Sequence, residues 1–173
     1  LENDYAEKAV KLIYDNLYAA YKDGGDMNAR QNMQEAAFLA GRAFTRGCVG
    51  YVHAIGHTLG GLYGVPHGLA MAVILPHVMR YFGASVEPKL SRLADICGLS
   101  GSCDREKADV FIRWIDHLKE NTGIPGNLDM IREEDIPQII KWAIKEANPV
   151  YPVPQIWGEK DFREVLKNIK GES

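Results

Sequence analysis

The sequence predicts an all-α protein. Apolar residues recur at three- and four-residue steps along most of the chain, which is the spacing of amphipathic helices. No stretch has a convincing strand pattern, and no period of about 20 to 50 residues repeats. With 173 residues, 46% of them hydrophobic, the chain is long enough to bury a core of its own. We therefore expect one domain, a multi-helix bundle over residues 1–173.

The first two helices are expected to form an antiparallel hairpin. One is predicted from Asn3 to Tyr21, with Asn3 as its N-cap and Gly24-Gly25 ending it. Asp26 is a suitable cap for the next. That second helix carries a broad face of mostly small side chains, which lets another helix approach closely. The face consists of Ala29, Met33, Ala36, Ala37, Ala40, Gly41 and Phe44.

The helix predicted over Leu69–Phe82 is apolar on all sides, which places it at the centre of the domain. Pro76 within it removes a backbone hydrogen bond and predicts a kink or a break near Leu75. The segment Val150–Trp157 contains two prolines and is expected to be extended, outside any sheet interior. The remaining predicted helices are Tyr51–Leu62, Glu87–Cys97, Asp104–Asn121 (N-capped by Asp104), Glu134–Ala147 (ended by Asn148-Pro149) and Lys160–Asn168.

The charge distribution argues against two classes of partner. The formal net charge is -3, and no Lys/Arg-rich run occurs, so neither a nucleic acid nor a membrane surface is an expected partner. No apolar run approaches the roughly 18 residues of a membrane span, and the first residues are too polar for a signal peptide. A cytoplasmic location is therefore expected.

The three cysteines do not suggest a disulfide framework. They are odd in number and contain no C-x-x-C pair, which also argues against a cysteine-based zinc site. We expect Cys48, Cys97 and Cys103 to be free thiols, with Cys48 and Cys97 buried as small apolar residues.

Four of the five histidines lie between Tyr51 and Tyr81. His53 and His57 are four residues apart, so on a helix their rings project from one face. His67 follows a glycine-rich turn that can bring a third imidazole to the same point, and three imidazoles suit zinc or iron(II). A helical histidine pair can equally be an ordinary surface or core feature. His77 is expected to be buried and bonded to a backbone group. The glycines expected in or beside turns are Gly60, Gly61, Gly64 and Gly68.

A zinc hydrolase is one function such a cluster could serve. The residues between the first two histidines are Ala54, Ile55 and Gly56, so the general base of the H-E-x-x-H motif is missing. No Asp or Glu occurs between Gly47 and Gly83 either. A divalent cation bound only by neutral groups is poorly neutralised, so a carboxylate should come from elsewhere.

Several blocks of the sequence together resemble the iron-containing (group III) alcohol dehydrogenases. The resemblance covers nearly the whole chain at the family's spacing. It is carried by HAIGHTLGG at His53–Gly61, PHGLAMA at Pro66–Ala72, LPHV at Leu75–Val78, ARQNM at Ala29–Met33, LAGRAF at Leu39–Phe44, and Asn148-Pro149. Thr58 and Met71 stand where the family commonly has Pro and Asn; neither position is an implied ligand, so these departures bear on the implied substrate preference more than on the implied metal.

The resemblance implies the C-terminal helical domain of a dehydroquinate synthase-like, iron-containing alcohol dehydrogenase. It implies that His53 and His67 ligate divalent iron or zinc, and that His57 lies beside the nicotinamide and the substrate as a catalytic and cofactor-side residue. The family's other two ligands come from an Asp-x-x-x-His segment, which we expect upstream of Leu1, together with the nucleotide-binding domain.

The expected activity is NAD- or NADP-linked oxidation of small alcohols or reduction of aldehydes. These 173 residues are expected to be inactive by themselves, and a homodimer is compatible with the family. A free-standing helical metal-binding or interaction domain that uses the same histidines is the alternative.

Overall fold

The computed structural model describes residues 2–171, and these contain helices and no strand. The predicted fold class is confirmed. Two 3-10 turns, Gly83–Ser85 and Glu133–Asp135, accompany the α-helices. The α-helices are α1 (Glu2–Lys22), α2 (Met27–Gly47), α3 (Tyr51–Tyr63), α4 (His67–Phe82), α5 (Glu87–Ile96), α6 (Asp104–Asn121), α7 (Ile136–Ala147) and α8 (Glu159–Lys170).

Most helix boundaries lie close to the predicted ones, and the capping residues explain some of them. The Asp26 side chain accepts a hydrogen bond from the Ala29 N–H at 3.0 Å, as expected for the N-cap of α2. The expected N-cap Asn3 instead lies inside α1, and Asp104 is the first residue of α6. α4 continues through Pro76 without a break, because packing on both sides supports the helix where one backbone hydrogen bond is lost.

The glycines around the histidines divide into two groups. Gly60 and Gly61 lie in the last turn of α3, inside the helix predicted over Tyr51–Leu62, whereas Gly68 lies at the start of α4, beside the turn as predicted. Gly64 does end α3, with a φ of +68° that favours glycine, and its N–H donates to the Gly60 carbonyl at 3.0 Å.

The described residues form two compact units, and the boundary between them falls inside α6. The first unit contains the described residues up to Cys48 together with Glu87–Trp114. In it α1 packs along α2, as the hairpin prediction requires, and α5 contacts α1. Asn32 of α2 donates to the Asn16 side chain of α1 at 2.8 Å.

The small-residue face of α2 is only partly buried. Ala29 and Ala36 are buried, whereas Ala37 and Phe44 are exposed, so the predicted face is too broad; Leu39, which lies outside the predicted face, is buried. Cys97 is buried as expected, and burial raises the pKa of its thiol to about 11. Cys48 is exposed, which contradicts its predicted burial: it caps the C-terminus of α2 with a φ of +57° and does not lie on a packed face.

The second unit contains Val49–Val86 and the described residues from Ile115 onward. α3 packs against α4 and α7, and α8 packs against α4 and α7. These four helices enclose one continuous apolar core, and the apolar helix α4 contributes to it as predicted. Packed within and against it is a cluster of aromatic rings with centroids 4.5–6.0 Å apart, formed by Tyr51, Tyr81, Phe82, Trp157 and Phe162.

No single helix within residues 2–171 is long and apolar enough to cross a membrane. One bent pair, α4 with the following 3-10 turn combined with α5, meets the length and hydropathy criteria for a membrane span, and it does so by length and composition only.

Candidate metal and catalytic site

His53, His57 and His67 meet at one place in the second unit. α3 holds the first two one turn apart, and the short connection after Gly64 brings the start of α4, with His67, back to them. The ring centroids are 5.8 Å apart for His53 and His57, and 5.4 Å apart for each pair that includes His67. The ring of His57 is nearly parallel to that of His67, with 22° between their planes.

The three histidines differ in their surroundings. His53 is half-buried, whereas His57 and His67 are exposed. Burial lowers the pKa of His53, the nearby His57 and His67 lower it further, and Glu146 opposes them. His53 is therefore held in the neutral form, which is the form of imidazole that binds metals.

A carboxylate reaches the cluster from α7. Glu146 Oε1 lies 2.8 Å from Nδ1 of His57, and the side chains of this pair are 30% and 45% exposed, respectively. The hydroxyl of Tyr151 donates to the same Oε1, also at 2.8 Å. His57 Nδ1 and the Tyr151 hydroxyl thus contact the same carboxylate oxygen of Glu146.

The loop that carries Tyr151 is tied to the first residue of α3. The Tyr51 hydroxyl donates to Oδ1 of Asn148 at 2.9 Å and accepts from the N–H of Trp157 at 2.9 Å. The Asn148 side chain donates in turn to the Trp157 carbonyl at 3.3 Å. Tyr51 is only 1% exposed and Trp157 is buried, whereas Asn148 is half-buried. The geometry of these hydrogen bonds couples the loop to the helix that bears His53 and His57.

The donor set suits a divalent metal but does not complete a site. With metal–nitrogen bonds of about 2.0–2.1 Å, two imidazole rings on one ion have centroids about 5 Å apart, which is close to the separation of His53 and His67. Within residues 2–171, however, no group of three or more His, Cys, Asp or Glu side chains is arranged to hold an ion. His53 and His67 therefore fit as part of a metal site that needs further ligands.

His77 is separate from the cluster. It lies ten residues after His67 on α4, about 15 Å along the helix. Its Nε2 donates to the Gly126 carbonyl at 3.0 Å, which confirms the expected backbone bond, although the ring is only half-buried. A cavity of about 1040 Å³ lined by His77 and charged side chains, such as Arg80 and Lys167, does not include the three clustered histidines.

Sequence reasoning missed Glu146 and Tyr151. Glu146 lies outside Gly47–Gly83, but it contacts His57 and not the proposed ligands, so the expectation of a carboxylate for the metal stays a prediction. One signal could have located it: Ala143 and Ala147 belong to the buried face of α7, so Glu146 lies at the edge of that face. Only the packing of α7 on α3 shows which residues that edge meets.

Comparison with known proteins places the chain among alcohol dehydrogenases. The family model for the C-terminal part of the Fe-containing alcohol dehydrogenase family matches residues 1–169. The chain is 39% identical over 166 residues to the 1,3-propanediol dehydrogenase of Citrobacter freundii, covering 94% of this chain and 43% of that protein.

Two further matches are also alcohol-oxidising enzymes by name. The NAD-dependent methanol dehydrogenase of Bacillus methanolicus is 32% identical over 168 residues, covering 95% of this chain and 44% of that protein. The crystal structure of a 1,3-propanediol oxidoreductase superposes with a TM-score of 0.90 at 36% identity, covering 95% of this chain and 44% of that one. The chain therefore spans less than half the length of these relatives.

Proposed function

The chain belongs to the Fe-containing alcohol dehydrogenase family, and we propose that it supplies two metal-ligand histidines and part of the substrate cleft of an NAD(P)-linked alcohol dehydrogenase or aldehyde reductase. One observation carries the proposal. In a chain of this family, α3 and α4 bring His53, His57 and His67 together, with ring centroids no more than 5.8 Å apart.

The three histidines have two different roles in this proposal. His53 and His67 would hold divalent iron or zinc, and the neutral state of His53 favours that role. A bound metal supplies Lewis-acid polarisation of an alcohol or carbonyl oxygen, and a nicotinamide cofactor supplies the hydride chemistry. His57, with Nδ1 on Glu146, would face the nicotinamide side and position the substrate hydroxyl or accept its proton.

Small alcohols and aldehydes are the proposed substrates. The names of the relatives support that class, since they include 1,3-propanediol and methanol, and the methanol enzyme is described as NAD-dependent. The choice between NAD and NADP stays open. The homodimer, the cytoplasmic location and the absence of nucleic-acid and membrane partners stay predictions.

A metal-binding titration tests the ligand assignment. The chain and its single variants are titrated with Co²⁺ and followed by visible absorption. We expect weak binding that falls by more than about tenfold in His53→Ala and in His67→Ala, because each removes a ligand. His117→Ala, at a histidine whose side chain is 76% exposed on α6, is the matched control and should bind like the parent.

His57→Ala separates this proposal from the alternative. If His57 is not a ligand, its removal leaves Co²⁺ affinity near that of the parent. Tight stoichiometric binding by these 173 residues that requires all three histidines would support a free-standing metal-binding domain, which the equal approach of the third ring favours. Unchanged affinity in all three variants would remove the metal role altogether.

Turnover is the second test. We expect these 173 residues by themselves to show no NAD(P)-dependent oxidation of 1,3-propanediol, because they carry two proposed ligands and no G-x-G-x-x-G phosphate loop. Measurable NADH formation above that of a His53→Ala, His67→Ala double variant would contradict this expectation.

A further inference from the structure

We propose that Glu146 is a positioning residue for His57, that Tyr151 holds Glu146 in place, and that this pair selects the imidazole tautomer of His57. The inference rests on the proposed function for its significance, since it concerns the residue assigned to the reacting end of the cofactor. The hydrogen-bond geometry that carries it is independent of any bound metal or nucleotide.

The contact with Glu146 determines which ring nitrogen of His57 carries the hydrogen. An ionised carboxylate only accepts hydrogen bonds, so the 2.8 Å contact with Oε1 of Glu146 requires Nδ1 of His57 to be the donor. A neutral imidazole carries one hydrogen, and with that hydrogen on Nδ1 the lone pair belongs to Nε2. A catalytic histidine that is to accept a proton from a substrate hydroxyl needs one nitrogen free in this way.

Tyr151 holds the Glu146 side chain in place. Tyr151 donates its hydroxyl hydrogen to the same Oε1 at 2.8 Å, so that oxygen accepts two hydrogen bonds from different directions. The N–H of Tyr151 donates to the Ala147 carbonyl at 2.7 Å, which fixes the start of its loop against the end of α7. A carboxylate held at two points loses less rotational freedom when it orients its histidine than a free side chain would.

Tyr151 is itself held by the hydrogen bonds between its loop and α3. The Tyr151 loop is bonded through Asn148 and Trp157 to Tyr51, the first residue of α3. His57 lies six residues further along the same helix. The hydrogen-bonded path therefore leaves α3 at Tyr51 and returns to it at His57, which fixes the carboxylate relative to the ring that it orients.

An ordinary surface ion pair is the competing explanation. At 45% and 30% side-chain exposure, the His57–Glu146 contact contributes little to folding stability as a charge pair. The same chain contains a plain surface pair for comparison. His117 Nδ1 lies 3.1 Å from Oε2 of Glu120 on α6, with 76% and 71% of the two side chains exposed. Only the pair at His57 combines a shorter contact, lower exposure and a second donor on its carboxylate.

The test measures the tautomer directly. The full chain is labelled with ¹⁵N-histidine, without metal or cofactor, and long-range ¹H–¹⁵N spectra are recorded at a pH of about 8.5, where an imidazole of ordinary pKa is neutral. In the parent we expect His57 to carry its hydrogen on Nδ1. In Glu146→Leu the ratio of the Nδ1–H to the Nε2–H form should fall by roughly tenfold or more, because a hydrogen bond to a charged acceptor is lost.

Conservative variants separate positioning from general structural damage. Glu146→Gln keeps a side-chain oxygen that can accept from His57, so the parent tautomer should be largely restored. Tyr151→Phe removes only the outer donor and should shift the ratio in the same direction by a smaller factor. Glu120→Leu, the matched control, should leave the His57 signals unchanged, and the His117 ratio should respond less than the His57 ratio does to Glu146→Leu.

Two results would overturn the proposal: an unchanged His57 tautomer in a folded Glu146→Leu variant, or equal responses at His57 and His117 to loss of their carboxylates. If Glu146→Leu does not fold by circular dichroism, an unchanged ratio in Tyr151→Phe overturns the assigned role of Tyr151. Because these spectra contain no metal, they can succeed when the Co²⁺ titration fails, or fail when it succeeds, so the two proposals are tested separately.

Discussion

The first unit buries mainly small side chains, whereas the second buries large ones. Alanines such as Ala9, Ala29 and Ala36 lie between the helices of the first unit. The second unit encloses a continuous core with five clustered aromatic rings. Both units leave large apolar side chains exposed: Tyr18, Tyr21, Met27, Phe38 and Phe44 in the first, and Met130, Trp142, Val150 and Ile156 in the second.

The distribution of chemical groups follows the same division. All five histidines, Glu146 and Tyr151 belong to the second unit. A catalytic arrangement needs side chains held within fractions of an ångström on rigid elements. The candidate site is built on α3, α4 and α7, which belong to the unit with the large buried side chains.

The largest expected effect comes from removing a ring from the dense core. Phe162 is fully buried, with its ring centroid 4.9 Å from that of Tyr51. Phe162→Ala should lower the free energy of unfolding by about 3–5 kcal/mol, because it removes buried apolar surface and leaves a cavity. Phe38→Ala in the first unit, where the ring is 66% exposed, should change it by less than about 0.5 kcal/mol. Urea unfolding measures both, and equal losses would contradict the contrast between the units.

A smaller effect is expected from the hydroxyl of Tyr51. Tyr51→Phe keeps the ring but leaves Asn148 Oδ1 and the Trp157 N–H without the partner that bonds both. The free energy of unfolding should fall by about 1–3 kcal/mol, since the Trp157 N–H is buried and Asn148 is half-buried. Tyr18→Phe in the first unit, at a side chain that is 42% exposed, is the matched control and should be nearly neutral. A neutral Tyr51→Phe would show that the loop is held without this network.

A glycine-to-alanine substitution in the first unit is expected to destabilise more than one in the second unit. A Cβ on Gly101 in the first unit would lie 2.8 Å from the backbone nitrogen of Lys107, so Gly101→Ala should destabilise by about 1–3 kcal/mol. A Cβ on Gly56 in the second unit would instead meet the flexible end of Met71 at 1.9 Å, which can move aside. Gly56→Ala should change stability by less than about 1 kcal/mol, because alanine's helix propensity offsets the repacking. Thermal melts of the two variants should rank Gly101→Ala lower, and the reverse order would contradict this account.

The smallest expected effect concerns pH. Burial lowers the pKa of His77, the nearby Lys119 and Arg80 lower it too, and the Gly126 carbonyl and Asp116 oppose the shift. Because the unfolded chain then binds the proton more readily, stability from this residue is complete above a pH of about 6.5 and is lost as the pH falls below it. His77→Gln should flatten the decline of stability between about pH 7 and pH 5. Urea midpoints across that range measure it, and a parallel decline in parent and variant would exclude the contribution of His77. His53, whose pKa is also lowered, should account for part of the remaining slope.

Periodicity predicted the helices well because helix formation depends on near neighbours in the chain. The bounds of α6 are the predicted ones, and the predicted ends of the other helices differ from the observed ones by at most two residues. Errors arose where packing decides. Pro76 favours a kink or a break, yet α4 continues through it, packed against α3 and α8. Cys48 and Phe44 look like core residues by type, but the faces on which they lie meet no partner within the first unit that buries them.

By itself the sequence determined the helical class, the three histidines and the family, because these depend on residue types and on spacing along the chain. Only the tertiary structure decided what stands beside His57. Glu146 and Tyr151 are about 90 residues away along the chain, and their contact with the ring exists because α7 packs on α3 and because Tyr51 ties the following loop back to that helix. Spacing along one chain segment cannot encode a contact that two separately packed helices create.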